Sequence, residues 1–459
     1  MTLRPHQTTA IDFLLQTNRR AILADAAGLG KTLSILTALF TKPKQFPVLV
    51  VCNKPGLSVW ENELHKWFDE EAVIYTGAPK KRAAKLQIFL TSSGINFLIT
   101  NYAFFEEVLF KLTPIFFKTL IMDEYHLPGL LNRKTKIYKF TKSVAKLIPY
   151  IILATGTPMR QNPSDWFAPL SIIDPETFSS YWNFVNNYCI VIQEEYGCTI
   201  ERMPLNQEKF SEMLDKYRRR CVDKSYLPPK TRQPIPIEMT PKQARLYNTL
   251  VDQMILDEDG SFIITPNKLT NVLRCRQLLV CPTILGFNEL GRAMEVMVDL
   301  VIEELSEGNP VAIFTPFRFA VNIIKKQLEE VIKDSDIYTI MGGMTLEQYN
   351  KVQIDFQFNP NKNKVLISTI KSGTTATYTE ASVAIFIGYE YNVNDNTQAE
   401  DRLFREGQTK KVRCYYLLYK DSAVDSRALE ILNDKSKALA IDINREEYYR
   451  KIIDNNIVK

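Results

Sequence analysis

The chain has 459 residues, with 57 Lys+Arg against 52 Asp+Glu and a formal net charge of +5. Hydrophobic residues make up 45% and charged residues 24%, a soluble globular balance with material for more than one core and a length equal to about two to four domains. The mild positive charge permits a polyanionic partner without demanding one.

Seven cysteines, an odd count with no CxxC pair, and three histidines (His6, His65, His126) argue against a disulfide framework and a structural zinc site. The N-terminus lacks the apolar core of a secretory signal. No apolar run approaches the roughly 18 residues of a membrane span. These features point to a soluble, reducing compartment: cytoplasmic, nuclear in a eukaryote, or host cytoplasm for a virus. Abundant Lys, Asn, Ile, Tyr and Phe fit an AT-rich genome, microbial or viral.

In chain order, strand-like apolar runs at 21–24, 48–52, 97–100, 120–122 and 151–154 alternate with helix-like stretches at 32–40, 59–68, 80–90 and 136–147. Buried strands alternating with helices predict a parallel, doubly wound sheet. From 166 to 285 helical periods dominate, interrupted by Pro228, Pro229, Pro234, Pro236 and Pro241, which read as helical insertions plus a linker. Strand-like runs resume at 311–314, 337–340, 365–368, 383–387 and 412–418, with helices at 319–332 and 346–356. Residues 445–459 read as a charged helix or tail. The expected organisation is α/β: a lobe at 1–165, insertions and linker at 166–285, a second lobe at 286–445 and a tail at 446–459.

Three segments carry chemistry. Asp25-Ala26-Ala27-Gly28-Leu29-Gly30-Lys31-Thr32 follows a strand and opens a helix, the setting of a phosphate-cradling loop. Gly28 and Gly30 admit close backbone N–H contact with phosphate. Lys31 supplies a point charge, Thr32 can hold Mg²⁺, and the helix N-terminus adds its dipole. Asp25 stands where the general pattern has Gly. Asp123-Glu124 ends a second strand; Asp123 is read as a Mg²⁺ ligand and Glu124 as the base that activates water. Gln398–Gln408 reads as a helix with Arg402 and Arg405 on one face, candidates for stabilising transition-state charge.

In this order the segments resemble the superfamily-two helicases, and finer detail resembles the Swi/Snf family of chromatin-remodeller ATPases and DNA translocases. Leu3-Arg4-Pro5-His6-Gln7 looks like that family's adenine-recognising segment, implying an adenine contact for Gln7. Its phosphate loop typically begins with Asp, so Asp25 fits. Trp60–Trp67 resembles the helix after its second strand, and Leu153–Pro158 its third motif. Arg219-Arg220, Leu227-Pro-Pro-Lys230, Met239–Gln243 with Leu246-Tyr247, and Leu273-Arg274 with Gln277 and Cys281-Pro282 resemble its insertion elements. The fifth motif departs: Ser368, Thr369 and Gly373 remain, while Lys371, Ser372, Thr375, Thr377 and Tyr378 replace other members. Tyr391-Asn392-Val393 stands for Trp-Asn-Pro, Asn350 for a usual arginine, and Tyr125 for a small residue.

The resemblance implies two RecA-like parallel-sheet lobes with helical insertions between them. It also implies ATP and Mg²⁺ as ligands, with Gly373 near the nucleotide, and sequence-independent contacts to double-stranded DNA through Thr100, Asn101, Thr155, Gly156, Ser368 and Thr369. The expected activity is DNA-dependent ATP hydrolysis driving translocation on duplex DNA, by a chain read as a monomer off the membrane. Its targets would be DNA-bound proteins or branched DNA. The alternatives are a strand-separating DNA or RNA helicase and an uncoupled ATP-binding clamp.

Overall fold

The uninterrupted Val/Ile/Leu runs become strands buried on both faces, because helices cover each side of a parallel sheet. In a computed structural model the described residues are 3–41, 45–160, 162–194, 197–252, 266–373, 377–390, 393–420, 422 and 425. They divide into two units, one running to Lys224 and the other starting at Ser225. Thr375, Tyr391, Asn392 and 445–459 lie outside the described residues.

The first unit's strands are β1 (Arg20–Leu23), β2 (Val48–Cys52), β3 (Ala72–Tyr75), β4 (Phe97–Asn101), β5 (Thr119–Asp123), β6 (Tyr150–Ala154), the hairpin pair β7 (Cys189–Glu194) and β8 (Gly197–Pro204), and β9 (Arg218–Arg219). Seven of them form a parallel sheet in the order β3-β4-β2-β5-β6-β1-β9. Helices α1 (Pro5–Gln16), α2 (Lys31–Phe40) and α3 (Gly56–Phe68) matter most for the site. The order places the ends of β1, β5 and β6 side by side, where the loop, the acidic pair and Thr155-Gly156 emerge.

The second unit has β10 (Lys230–Ile237), β11 (Val311–Thr315), β12 (Asp336–Ile340), β13 (Lys364–Thr369), β14 (Val383–Ile387) and β15 (Val412–Tyr419), in the parallel order β10-β15-β14-β11-β13-β12. Alternate residues fill two cores. Val311, Ile313, Val365, Ile367, Val383 and Ile385 face one. Ala312, Phe314, Leu366, Ala384 and Phe386 face the other.

The stretch expected as insertions and linker departs from that reading in three places, the first being β9, which joins the first unit's sheet beside β1. β7 and β8 form an antiparallel hairpin there. The proline-rich stretch is strand β10, pairing with β15 along its whole length. An edge strand tolerates this: Pro234 and Pro236 share a parity whose N–H positions face away from β15. Gln398–Gln408 is not one helix either. The helix Val393–Glu400 ends first, and three-residue turns follow, Arg402 N–H to Ala399 O (3.2 Å), Leu403 N–H to Glu400 O (3.0 Å) and Gln408 N–H to Arg405 O (3.1 Å). Among the described residues no helix is long and apolar enough to cross a membrane.

Candidate nucleotide-hydrolysis site

The loop at 25–32 bridges β1 and α2. Gly28 (φ 83°) and Gly30 (φ 71°) adopt left-handed backbone, which glycine reaches without strain. A Cβ on Gly30 would lie 2.3 Å from Gln7 Nε2, so a side chain at that position would displace the Gln7 amide. Gln7 is buried, its Oε1 accepting from the Arg4 N–H (2.9 Å). His6 Nε2 sits 3.1 Å from the Leu29 carbonyl. Helix α1 thus lies against the loop, which places Gln7 beside the phosphate cradle. Ala27 and Leu29 are buried beneath it.

Asp25 has a structural reason that the loop pattern alone does not supply. Its carboxylate is almost wholly buried. Arg219 Nη1 donates to it at 2.6 Å, and so does the Cys221 N–H at 2.6 Å. Arg219 also donates to the His6 carbonyl (2.9 Å). Arg220 donates to the carbonyls of Ala24 and Gly156. Burial pushes the Asp25 carboxyl up, while Arg219, Lys31 and the Cys221 N–H pull it back. Strand β9, itself paired with β1, and the residues after it therefore pin the start of the loop at Ala24–Ala26. Lys31 Nζ donates to the carbonyls of Asp25 (2.9 Å) and Ala26 (3.4 Å).

Asp123 ends β5, and two aromatic residues hold it. Trp60 Nε1 of α3 donates to Asp123 Oδ2 (2.9 Å), and Tyr102 OH to its carbonyl (2.8 Å). Burial and the neighbouring Glu124 charge push the Asp123 carboxyl up to about 6, against the Trp60 hydrogen bond and the Lys31 charge. Glu124 stands in left-handed backbone (φ 48°), a strained state that persists where surroundings enforce it. Its Oε2 accepts from Thr155 Oγ1 (3.0 Å) and from the Gly156 N–H (3.4 Å). Thr155 Oγ1 has one proton and gives it to Glu124, so at 2.7 Å it accepts from His126 Nδ1. His126 is fully buried, and burial lowers its pKa to about 4, which keeps the ring neutral.

The residues read as duplex contacts divide. Thr155 and Gly156 belong with Glu124, and a Cβ on Gly156 would approach the Ala27 N at 3.2 Å. Thr100 is buried and donates to the Tyr75 carbonyl (3.0 Å). Ser368 is buried and donates to the Thr369 carbonyl (3.0 Å). The hydroxyls of Thr100, Thr155 and Ser368 are therefore engaged within the protein. Asn101 is half-buried and accepts from the Ala103 N–H (3.0 Å). Thr369 is largely buried, its Oγ1 accepting from the Ser372 N–H (3.4 Å). Gly373 is explained by packing: a Cβ would meet Phe314 at 2.8 Å and Ser368 Oγ at 3.0 Å.

In the second unit, Arg402 and Arg405 lie on the turn after Glu400 and rest on the divergent fifth segment. Arg405 Nη1 donates to Thr377 Oγ1 (2.8 Å), and the Tyr378 N–H donates to the Arg402 carbonyl (2.9 Å). Gln408 Nε2 ties the turn to the carbonyls of Ala381 (2.8 Å), Thr379 (3.1 Å) and Leu403 (3.2 Å). Trp60, Arg219 and Arg220 stand out in sequence only through the resemblance. A buried Trp N–H that needs an acceptor is the one local signal that could have marked Trp60.

The donor set fits a nucleoside triphosphate with a hard divalent cation. Thr32 at the helix start and the Asp123 carboxylate are oxygen donors, and the raised Asp123 pKa marks a buried site short of positive charge. The chain is 26% identical to the CHD3-type chromatin-remodeling factor CHR7 of Arabidopsis thaliana over 99% of its length, covering 39% of that protein. It is 24% identical to the DNA annealing helicase and endonuclease ZRANB3 of Mus musculus over 96% of its length, covering 41%. The chain thus spans about two fifths of the length of these relatives. It is also similar to the Sulfolobus solfataricus SWI2/SNF2 ATPase core in complex with dsDNA, at 23% identity and a TM-score of 0.43, covering 98% of this chain and 97% of that one. The profile of the helicase conserved C-terminal domain matches residues 292–407. The profile of the SNF2-related domain matches residues 6–284, well over half the chain, and the chain belongs to that family.

Proposed function

We propose that the chain is an ATP-hydrolysing motor that moves along double-stranded DNA and acts on protein-bound or branched duplexes. The observation that carries the hydrolytic part is Glu124: a carboxylate on strained backbone, oriented by Thr155 and Gly156, beside a buried Asp123 and the phosphate loop.

In this reading Gln7 meets the adenine edge, and the N–H groups from Gly28 to Thr32 receive the phosphates. Lys31 leaves the loop carbonyls for the β and γ phosphates. Thr32 and Asp123 would hold Mg²⁺, which when bound neutralises phosphate charge. Glu124 takes the proton of the attacking water, and Arg402 and Arg405 stabilise charge on the transferred phosphoryl group. Thr155 joins the catalytic carboxylate to the loop after β6, so a change at Glu124 is felt where β6 ends. That link supports coupling of hydrolysis to movement. The grip on DNA is to backbone phosphates, hence sequence-independent and weakened by salt. Kinship with proteins named for chromatin remodelling and DNA annealing supports a duplex track, and we place the chain wherever such DNA is kept.

The test separates binding from chemistry. Lys31→Ala should lose nucleotide binding, measured with a fluorescent ATP analogue. Glu124→Gln should keep binding and lower hydrolysis by about 10²-fold or more, as removal of a general base does. Retention of most hydrolysis by either variant would sink the assignment.

A further inference from the structure

Lys230 and Arg232 have no part in the reading above, yet both are charged residues on a strand and both are largely buried. They share a face of β10, two residues apart. Between them they enclose Glu400, the last residue of the helix Val393–Glu400, whose side chain is wholly buried. Arg232 grips Glu400 as a fork, Nε to Oε1 and Nη2 to Oε2, each at 2.7 Å. Lys230 Nζ reaches Glu400 Oε2 at 2.9 Å and Asp401 at 3.3 Å. Tyr416 OH donates to Glu400 Oε1 at 2.6 Å.

The main chain of Glu400 starts the next turn. Its carbonyl accepts from both the Leu403 and Phe404 N–H groups, each at 3.0 Å. Arg402 and Arg405 sit on that turn. Lys230 also lies 5.0 Å from the centre of the Phe404 ring within it. A buried ion cluster contributes little net stability, because desolvation offsets attraction, so what this one supplies is a fixed geometry. The arginine fork adds direction as well as charge.

We propose that Lys230 and Arg232 are positioning residues for ATP hydrolysis: through Glu400 they set the turn that presents Arg402 and Arg405. The proposal rests on the proposed role of those two arginines. Burial alone would raise the Glu400 pKa, but Arg232 and Lys230 hold it down at about 2, so the clamp stays charged across the working range.

Steady-state hydrolysis on the full chain tests it, with Arg232→Met, Tyr416→Phe, Arg402→Ala and the double variant Arg232→Met/Arg402→Ala. A misplaced catalytic group costs up to about 10²-fold, so Arg232→Met should lower kcat by about 10- to 100-fold. The KM for ATP should stay within about twofold, because the nucleotide is held by other residues. The double variant should lose less than the product of the two single losses, since the clamp acts only through Arg402 and Arg405 and one of them is already gone. Tyr416→Phe removes one hydroxyl and should lower kcat in the same direction while the chain still folds; it decides the matter if Arg232→Met does not fold. Full activity in Arg402→Ala would remove the reading beneath the proposal and the clamp with it. Loss in Arg402→Ala with none in Arg232→Met and Tyr416→Phe, or losses that multiply in the double variant, would overturn the clamp alone.

Discussion

Replacing Arg219 by Met should loosen the phosphate loop by an amount the structure lets one work out. The Arg219–Asp25 pair is 2.6 Å long, with side chains 11% and 2% exposed, so solvent screens it little. Removing one partner of a buried pair costs about 3–5 kcal/mol, because the other charge is left behind. Asp25 keeps the Cys221 N–H and the nearby Lys31 charge, which sets the expectation at the low end, about 3 kcal/mol. At roughly 2–4 °C per kcal/mol for a unit of this size, the first unit should melt about 6–12 °C lower. The sign of the pH effect follows from Asp25. Its pKa is already raised by burial, and loss of Arg219 raises it further. The folded state then holds the proton more tightly than the unfolded chain, so stability falls as pH rises above the ordinary carboxylate range. Calorimetry should therefore find a larger deficit at about pH 8 than at about pH 5. Asp25→Asn in the Arg219→Met background should recover part of the loss and flatten that slope. A deficit under about 1 °C, or one that does not change with pH, would refute the reasoning.

Other outcomes follow from the same geometry. Gly30→Ala forces a side chain into left-handed backbone and onto Gln7 Nε2, so it should abolish ATP-analogue binding while the second unit melts as before. Gly373→Ala drives a methyl group into Phe314 and should destabilise the second unit by about 1–3 kcal/mol, the usual range for overpacking, read from its denaturation midpoint. The Mg²⁺ concentration needed for half-maximal hydrolysis should rise as pH falls through about 6, where Asp123 takes up a proton in the metal-free site; a Mg²⁺ requirement independent of pH between about 5 and 7 would contradict the role given to that carboxylate.

The strands of both sheets were legible because burial on two faces leaves little but Val, Ile, Leu and Phe at 48–52 and 383–387. β3 was not, since it is a short edge strand with alternating burial. β10 was hidden by its prolines, which only an edge position allows. The loop and the acidic pair could be located locally, as each is a contiguous segment at a strand end. What joins them could not. Asp25 and Arg219 are 194 residues apart, and nothing in a Thr-Gly pair after a strand announces the Glu124 carboxylate that Thr155 and Gly156 bond. Arg402 and Arg405 kept a helical look at three-residue spacing, although the chain had already turned after Glu400.

The most direct measurement is the rate of ATP hydrolysis with long double-stranded DNA, single-stranded DNA and RNA in parallel, at matched low salt. The account predicts strong stimulation by the duplex, growing with duplex length and falling steeply with salt. Stimulation by single strands or RNA alone, with none by duplex, would contradict it.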